Sequence, residues 1–332
     1  MPLIMGAMAY FTPVLTRSRA PETAVLLMPL LGLGAGTIAL GSLVGLWHHL
    51  PLAAGLGLLA CVLLFAWMQR RSQRALGSPH PCLYWYLWAL ASLALGLTAI
   101  LAAFGWSEQW QALRRFHLHL NTLGFIGLTA LGTLHVLLPT VARYQDPDTS
   151  RRLRRGLYYG VPGALLSAAG AAWFPPLAAV GLLLWLVMLV QFTVPLVSIH
   201  RAAVWGWHKP STALASALIG FALTLLFGAL QAVGWVSANI VVWLFFLVFL
   251  FPLVTSAASY LLPVWIWPGR CSQCYETAYR CLARGTGLRT LSFVAAGLLA
   301  ISGFRAAAYL AALGLVAFLI QIMWGLRTCS RD

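Results

Sequence analysis

Runs of about twenty apolar residues follow one another down the whole chain, and no carboxylate lies inside any of them. All six acids, Glu22, Glu108, Asp146, Asp148, Glu276 and Asp332, fall between the runs or in the tail. Twenty residues in α-helix cross a bilayer core of about 30 Å. In lipid the backbone must satisfy its own polar groups, so a chain of this kind folds as a bundle of spanning helices. The composition agrees. Of 332 residues 61% are hydrophobic and 8% charged, against about 25% charged in a soluble protein. The expected fold is all-α, a polytopic transmembrane helical bundle of about ten full spans, roughly 24–47, 50–68, 84–105, 117–142, 158–174, 177–199, 211–231, 237–265, 288–304 and 306–326.

The net charge of +15 invites a nucleic-acid reading, which the placement of the charges removes. Basic residues collect in alternate loops: Arg17 and Arg19; Arg70, Arg71 and Arg74; Arg143 with Arg151, Arg152, Arg154 and Arg155; Arg201 and Lys209; Arg270 through Arg289; then Arg327 and Arg331. The opposite loops hold only Arg114, Arg115 and Arg305. Excess Lys and Arg marks the cytoplasmic side. The expectation is a multi-pass protein of a bacterial inner membrane, its C-terminus cytoplasmic, its partner the lipid bilayer and not nucleic acid. Tryptophans near the span ends, Trp47, Trp106, Trp110, Trp205, Trp207, Trp265 and Trp267, suit interfacial anchoring.

A longer period lies beneath the spans. GAMAYFTP (6–13), GTLHVLLP (132–139) and SAASYLLP (256–263) each set a small residue seven positions before a proline. Pro13, Pro139 and Pro263 are 126 and 124 residues apart, and Pro21-Glu22-Thr23 returns as Pro147-Asp148-Thr149. Such a period implies one membrane domain over 1–332 made of four-helix repeat units near 1–116, 117–236 and 237–332. The leading helix of the first unit, Met1 to Val14, is too short to span, so that unit is expected to be truncated at its N-terminus.

The second unit opens on "FHLHLN", residues 116–121. Successive helical residues turn by about 100°, so His117 and His119 point ~200° apart and do not readily share one metal ion. Two planar iron macrocycles flanking one helix, each taking an axial imidazole, suit this spacing. Plain residence at the interface is the simpler alternative. His135 lies ~27 Å further along the same helix and is expected to pack or hydrogen-bond on the other side of the membrane. His48 and His49, in "LWHHLP", fall on the same side as His117 and His119 and form a candidate metal pair, four imidazoles near one membrane face suiting copper or haem; a polar turn that caps a helix before Pro51 is the simpler alternative. His80, His200 and His208 sit in loops of the basic side. Cys271, Cys274 and Cys281 make a C-x-x-C with a third thiol, but no histidine joins them, and an ordinary loop is expected. A proton-coupled carrier is disfavoured, because no carboxylate sits in a span. A channel for a neutral solute is not.

The segment "HLHLNTLGFIGLTALGTLHVLLP" resembles a histidine-bearing helix of haem-copper oxidase subunit I. Its cbb3-type branch is similar through an adjacent His-His at the outer end of a helix, here His48 and His49, and the NnrS-like haem-copper membrane proteins are a close rival likeness, through H-x-H-x-x-x-x-G-F at His117, His119, Gly124 and Phe125. The resemblance implies a pseudo-threefold set of four-helix units. It implies haem ligation by His117 and His119, copper at His48 and His49, and an oxidoreductase of cytochrome c oxidase or nitric-oxide reductase type. Its partners would be other respiratory subunits or a cytochrome c donor. Further haem and copper ligands expected on other leading helices are missing from the stub and from the third unit, where Val241 and Trp243 stand in the equivalent places. The function expected is therefore a reduced, haem-binding relative with electron-transfer or O2/NO chemistry. The alternatives are a non-catalytic scaffold or assembly partner, or a copper-handling protein using all four histidines.

Overall fold

The structure, a computed structural model, describes residues 1–45, 47–267 and 273–329. Among these every regular element is helical. Eight helical stretches are long and apolar enough to cross a membrane: Thr23–Gly41, Trp47–Gln73, Cys82–Gly105, Ser107–Ala142, Pro175–Leu196, Pro210–Ala232, Ala238–Ile266 and Ala306–Gly325. The expected spans at 158–174 and 288–304 correspond to α7 (Thr149–Ala172) and α14 (Thr286–Ile301). The first opens on four arginines between Arg151 and Arg155, and the second has only 16 residues. Neither is therefore among the eight.

The chain forms two compact units, one of Met1–His135 with Pro147–Met188, the other of Val136–Asp146 with Leu189–Asp332. In the first, α1 (Pro2–Thr16) packs on α2 (Leu27–Gly41), α3 (Leu50–Gln73) and α4 (Cys82–Gly105). Helix α5 (Trp110–His119) runs through a π-helical stretch, Leu120–Gly127, into α6 (Leu128–Ala142). Helix α4 packs on α5 and on the π stretch, and α5 on α7.

Lipid tails are as apolar as the side chains, so close packing and internal hydrogen bonds hold such helices together. Trp85 on α4 shows both. It is fully buried and its Nε1 donates to the Leu153 carbonyl at 3.0 Å. Its indole lies over three glycines: a Cβ on Gly132 would stand 2.6 Å from Trp85 Cβ, one on Gly156 3.0 Å from the ring, and one on Gly160 3.4 Å from it. Thiols act as small donors between helices. Cys61 Sγ reaches the Leu90 carbonyl and Cys82 Sγ the Gly132 carbonyl.

The second unit holds α8 (Pro175–Ser198) from Leu189 onward, the short α9 (Arg201–Val204) and α10 (Pro210–Ala232). Helix α11 (Ala238–Trp243) passes through a second π-helical stretch, Leu244–Leu250, into α12 (Phe251–Ile266). It closes with α13 (Gln273–Arg284), α14 and α15 (Ala306–Cys329). Gly220 of α10 meets the backbone of Val248 so closely that a Cβ there would collide with the Val248 carbonyl. The rings of Phe221 and Phe249 meet at 4.8 Å, tilted by 48°, and Leu244, Leu247 and Val248 bury against Ala296 and Ala311.

Two helix ends have the same geometry. Arg17 and Arg143 have φ of 51° and 57°, and among the described residues they are the two non-glycine residues with positive φ. In each case the next amide turns back five residues, Ser18 to the Pro13 carbonyl and Tyr144 to the Pro139 carbonyl. This is the left-handed cap that closes a helix by satisfying its last carbonyls. The helix ending near Pro263 closes differently, with Trp267 donating to the Pro263 carbonyl at φ −122°.

His80 joins α1 to α4. Its amide donates to the Leu15 carbonyl and its Nδ1 accepts from the Cys82 amide at the start of α4. Only a neutral ring can accept there. Burial, and then the charge of Arg17, hold its pKa below the ordinary value. Across the window between the two values the unfolded chain binds more protons, so this contribution is complete above pH ~6.5 and fades as the pH falls below it. In detergent-solubilised protein the melting temperature of the wild type is expected to drop more between pH 7.5 and 5 than that of His80→Asn. Parallel melting curves would refute this. The Trp85 socket makes a separate prediction. Gly132→Val is expected to lower stability by about 1–3 kcal/mol through overpacking, read as an earlier melting transition than that of Gly55→Val, where a Cβ meets nothing within 4 Å.

Candidate functional site

The H-x-H pair closes the last turn of α5, immediately before the π stretch. The two rings are held differently. His117 is half-buried and its Nδ1 lies 2.8 Å from the Gly96 carbonyl on α4. Gly96 has no side chain to hold α5 away: a Cβ there would sit 3.4 Å from Leu120 and 3.6 Å from the imidazole. His119 turns back on its own helix, with Nδ1 2.8 Å from the Arg115 carbonyl.

A carbonyl oxygen only accepts, so each Nδ1 carries the proton and each Nε2 carries the lone pair. That tautomer is the one in which a histidine offers Nε2 to an iron or copper while a main-chain carbonyl orients the ring. His119 Nε2 has no hydrogen-bond partner within the described residues. His117 Nε2 receives the amide of Asn121 at 2.9 Å, four residues on. Both imidazoles thus fit an axial-ligand role by tautomer. His119 offers its lone pair directly, whereas His117 requires Asn121 to turn away.

Next along the helix, Gly124 faces Ser92 on α4, where a Cβ would meet Ser92 Cβ at 2.5 Å. Ser92 Oγ is engaged with the Trp88 carbonyl. His135 is buried and bonds the Leu131 carbonyl through Nδ1 at 2.8 Å, with its ring 5.9 Å from that of Trp85. It is a packed, hydrogen-bonded core histidine, as its distance along the helix implied.

His48 and His49 occupy a short 3-10 turn, Trp47–His49, ahead of α3. Their ring centroids are 3.9 Å apart at 49°. His48 is exposed and His49 partly so. Among the described residues no three His, Cys, Asp or Glu side chains are gathered closely enough to hold a metal ion. His48 and His49 are therefore a pair, and the structure does not join them with His117 and His119 into one ligand set. Cys271 lies outside the described residues. Cys274 and Cys281 are partly buried on α13, and Cys281 Sγ is 3.7 Å from the Gln321 carbonyl.

Asn121 and Gly96 are the site residues that reading the sequence for histidines passes over. Asn121 was accessible, since it stands at i+4 from His117 and therefore on the same face. Gly96 was not, because nothing local to α4 marks which of its glycines faces α5. Comparison with protein-family models, curated proteins and solved structures finds no match for this chain.

Asn121→Leu removes the donor from His117 Nε2 while keeping a side chain of similar size. The expected cost is about 0.5–1.5 kcal/mol, measured as a lower melting temperature. The double change with His117→Leu should cost less than the sum of the single changes, and strict additivity would show that the two side chains are uncoupled.

Proposed function

We propose that the chain is an integral membrane haem-binding protein, a reduced relative of haem-copper oxidase subunit I, that carries out electron transfer or binds a diatomic gas such as O2 or NO. The observation that carries the reading is the H-x-H pair itself, two imidazoles two residues apart. Both are fixed in the Nε2 lone-pair tautomer, one by the main chain of α4 and one by the main chain of its own helix. His119 and His117 are the proposed iron ligands, and His48 with His49 a proposed copper pair. When bound, a haem supplies redox change and an open coordination position for a gas. The protein side sets ring orientation through Gly96 and Arg115 carbonyls, and Asn121 competes for one of the two lone pairs.

The architecture proposed with it is one of about ten spans in four-helix units, with the basic loops and the C-terminus in the cytoplasm of a bacterial inner membrane. Four spacings support the repeat. The left-handed caps at Arg17 and Arg143 are 126 residues apart. The π stretches begin at Leu120 and Leu244, 124 apart. Helices α3 and α8 begin 125 apart, and α4 and α10 begin 128 apart. The second π stretch follows Val241 and Trp243 where the first follows the histidines, so the feature recurs without the ligands.

One observation favours a second reading, a non-catalytic scaffold or assembly partner that retains the fold. The Asn121 amide already satisfies His117 Nε2, so that ring is complete as a structural tie between α4 and α5. Protein purified from cells supplied with haem separates the two. The haem reading expects a Soret band, and an α-band shift on dithionite reduction, that His119→Ala abolishes. A featureless spectrum, or one unchanged in both His119→Ala and His117→Ala, would end it. Metal analysis of the wild type beside His48→Ala/His49→Ala tests the copper pair.

A further inference from the structure

Arg289, in the first turns of α14, is buried, and its guanidinium is held by neutral acceptors, Gln321 Oε1 on α15 at 2.8 Å and Ser259 Oγ on α12 at 3.0 Å. Its charge is enclosed. The arginines that open α7 are the opposite case. Arg151, Arg154 and Arg155 are exposed, and Tyr158, which follows them on the helix, is 80% exposed. The spacing i, i+3, i+4 and i+7 puts all four on one stripe. Leu153, Gly156 and Gly160 lie on the opposite side and are buried. The Trp85 socket fixes which side is which. Its indole fills the space that a Cβ on Gly156 or Gly160 would take, and its Nε1 donates to the Leu153 carbonyl.

Charge on the outward stripe is not balanced within the protein. Asp148 pairs with Arg151 at 2.7 Å. Arg154 and Arg155 make no hydrogen bond or ion pair with any described residue. Like charges three and four residues apart on a helix repel one another, so α7 carries this cluster at a cost. Its position suits one class of partner. The apolar part of α7, residues 156–172, is about 25 Å long at 1.5 Å per residue, shorter than a bilayer core of about 30 Å. A short span draws its flanking residues toward the core, and long basic side chains there snorkel back to the headgroups. Tyr158 falls where phenol rings anchor at the interface. The same stripe runs on through Pro162, Leu165 and Leu166, all apolar. An acidic protein would meet the arginines but has no use for that continuation into the bilayer.

We propose that the outward stripe of α7 binds anionic phospholipid, with phosphates meeting the Arg154 and Arg155 guanidiniums and acyl chains lying along Tyr158, Pro162, Leu165 and Leu166. Basic clusters directly beside a span take such headgroups, and Arg151, Arg152, Arg154 and Arg155 form one here. The proposal requires that α7 crosses a bilayer and is independent of haem.

Native mass spectrometry of the full chain in neutral detergent, titrated with phosphatidylglycerol or phosphatidylcholine, tests it. The wild type is expected to retain phosphatidylglycerol preferentially, and Arg154→Gln/Arg155→Gln to lower that preference by roughly fivefold for each arginine removed. Arg70→Gln/Arg74→Gln takes the same charge from exposed positions at the end of α3, and is expected to leave the preference nearly unchanged. Both variants alter exposed side chains and should melt as the wild type does. In the wild type alone, a photoactivatable phosphatidylglycerol should label peptides covering 151–166. Four outcomes would each overturn the proposal: equal retention of the two lipids; equal losses in the two double variants, the mark of diffuse charge; label confined to other helices; or displacement of the lipid by millimolar inorganic phosphate or a glutamate-rich peptide.

Discussion

In a bilayer core no water is present to accept or donate a hydrogen bond, and every polar group of a span must find its partner within protein. That requirement makes the chain helical and then governs its side chains. Thr12, Thr37, Thr98, Thr129, Thr133, Thr193, Ser216, Thr224, Thr255 and Ser259 all bond the carbonyl four residues back. His119 and His135 do the same through Nδ1. His117 departs from the pattern: it passes over its own helix and reaches α4. It is a tie between helices, where the others are local to one.

Close packing supplies what hydrophobicity cannot between helices already in lipid. The glycines do this at identifiable places. Gly132, Gly156 and Gly160 admit Trp85, Gly96 admits His117, Gly124 meets Ser92, and Gly220 lies against Val248. Two of these contacts involve a π-helical stretch, Gly124 within the first and Val248 within the second. A π turn adds a residue to the helical repeat and rotates the rest of the helix beyond it, and such turns occur often at functional sites. Here the first comes directly after His119, so the orientation of the H-x-H pair relative to the rest of α6 is set by it and not by a regular 3.6-residue count.

Helix positions were legible because span length and charge exclusion are local properties. The expected spans at 50–68, 84–105 and 211–231 meet α3, α4 and α10 closely. The Gly-to-Pro period pointed to positions whose backbone proved alike at Pro13 and Pro139, because a proline near a helix end leaves few ways to close the last turn. It pointed equally to Pro263, where the cap differs. Within the site, His117, His119 and Asn121 could be placed on one helix by spacing. Their partners could not, since the acceptors are backbone carbonyls and carry no sequence signal. The buried Arg289 was hidden for a related reason. Read by charge alone it joined the basic loops, and only the approach of α12 and α15 encloses it.

By itself the sequence determined a helical membrane protein, because twenty uncharged apolar residues have one stable backbone conformation in lipid. It also placed two imidazoles two residues apart, and therefore on different sides of their helix. Tertiary structure decided that His117 meets the Gly96 carbonyl of α4, and hence which of its nitrogens keeps its lone pair. It decided as well that the four candidate histidines do not converge and that Arg289 lies buried among neutral partners. Those outcomes depend on which helix faces which across a few ångströms of packing, and no local pattern in the chain encodes that.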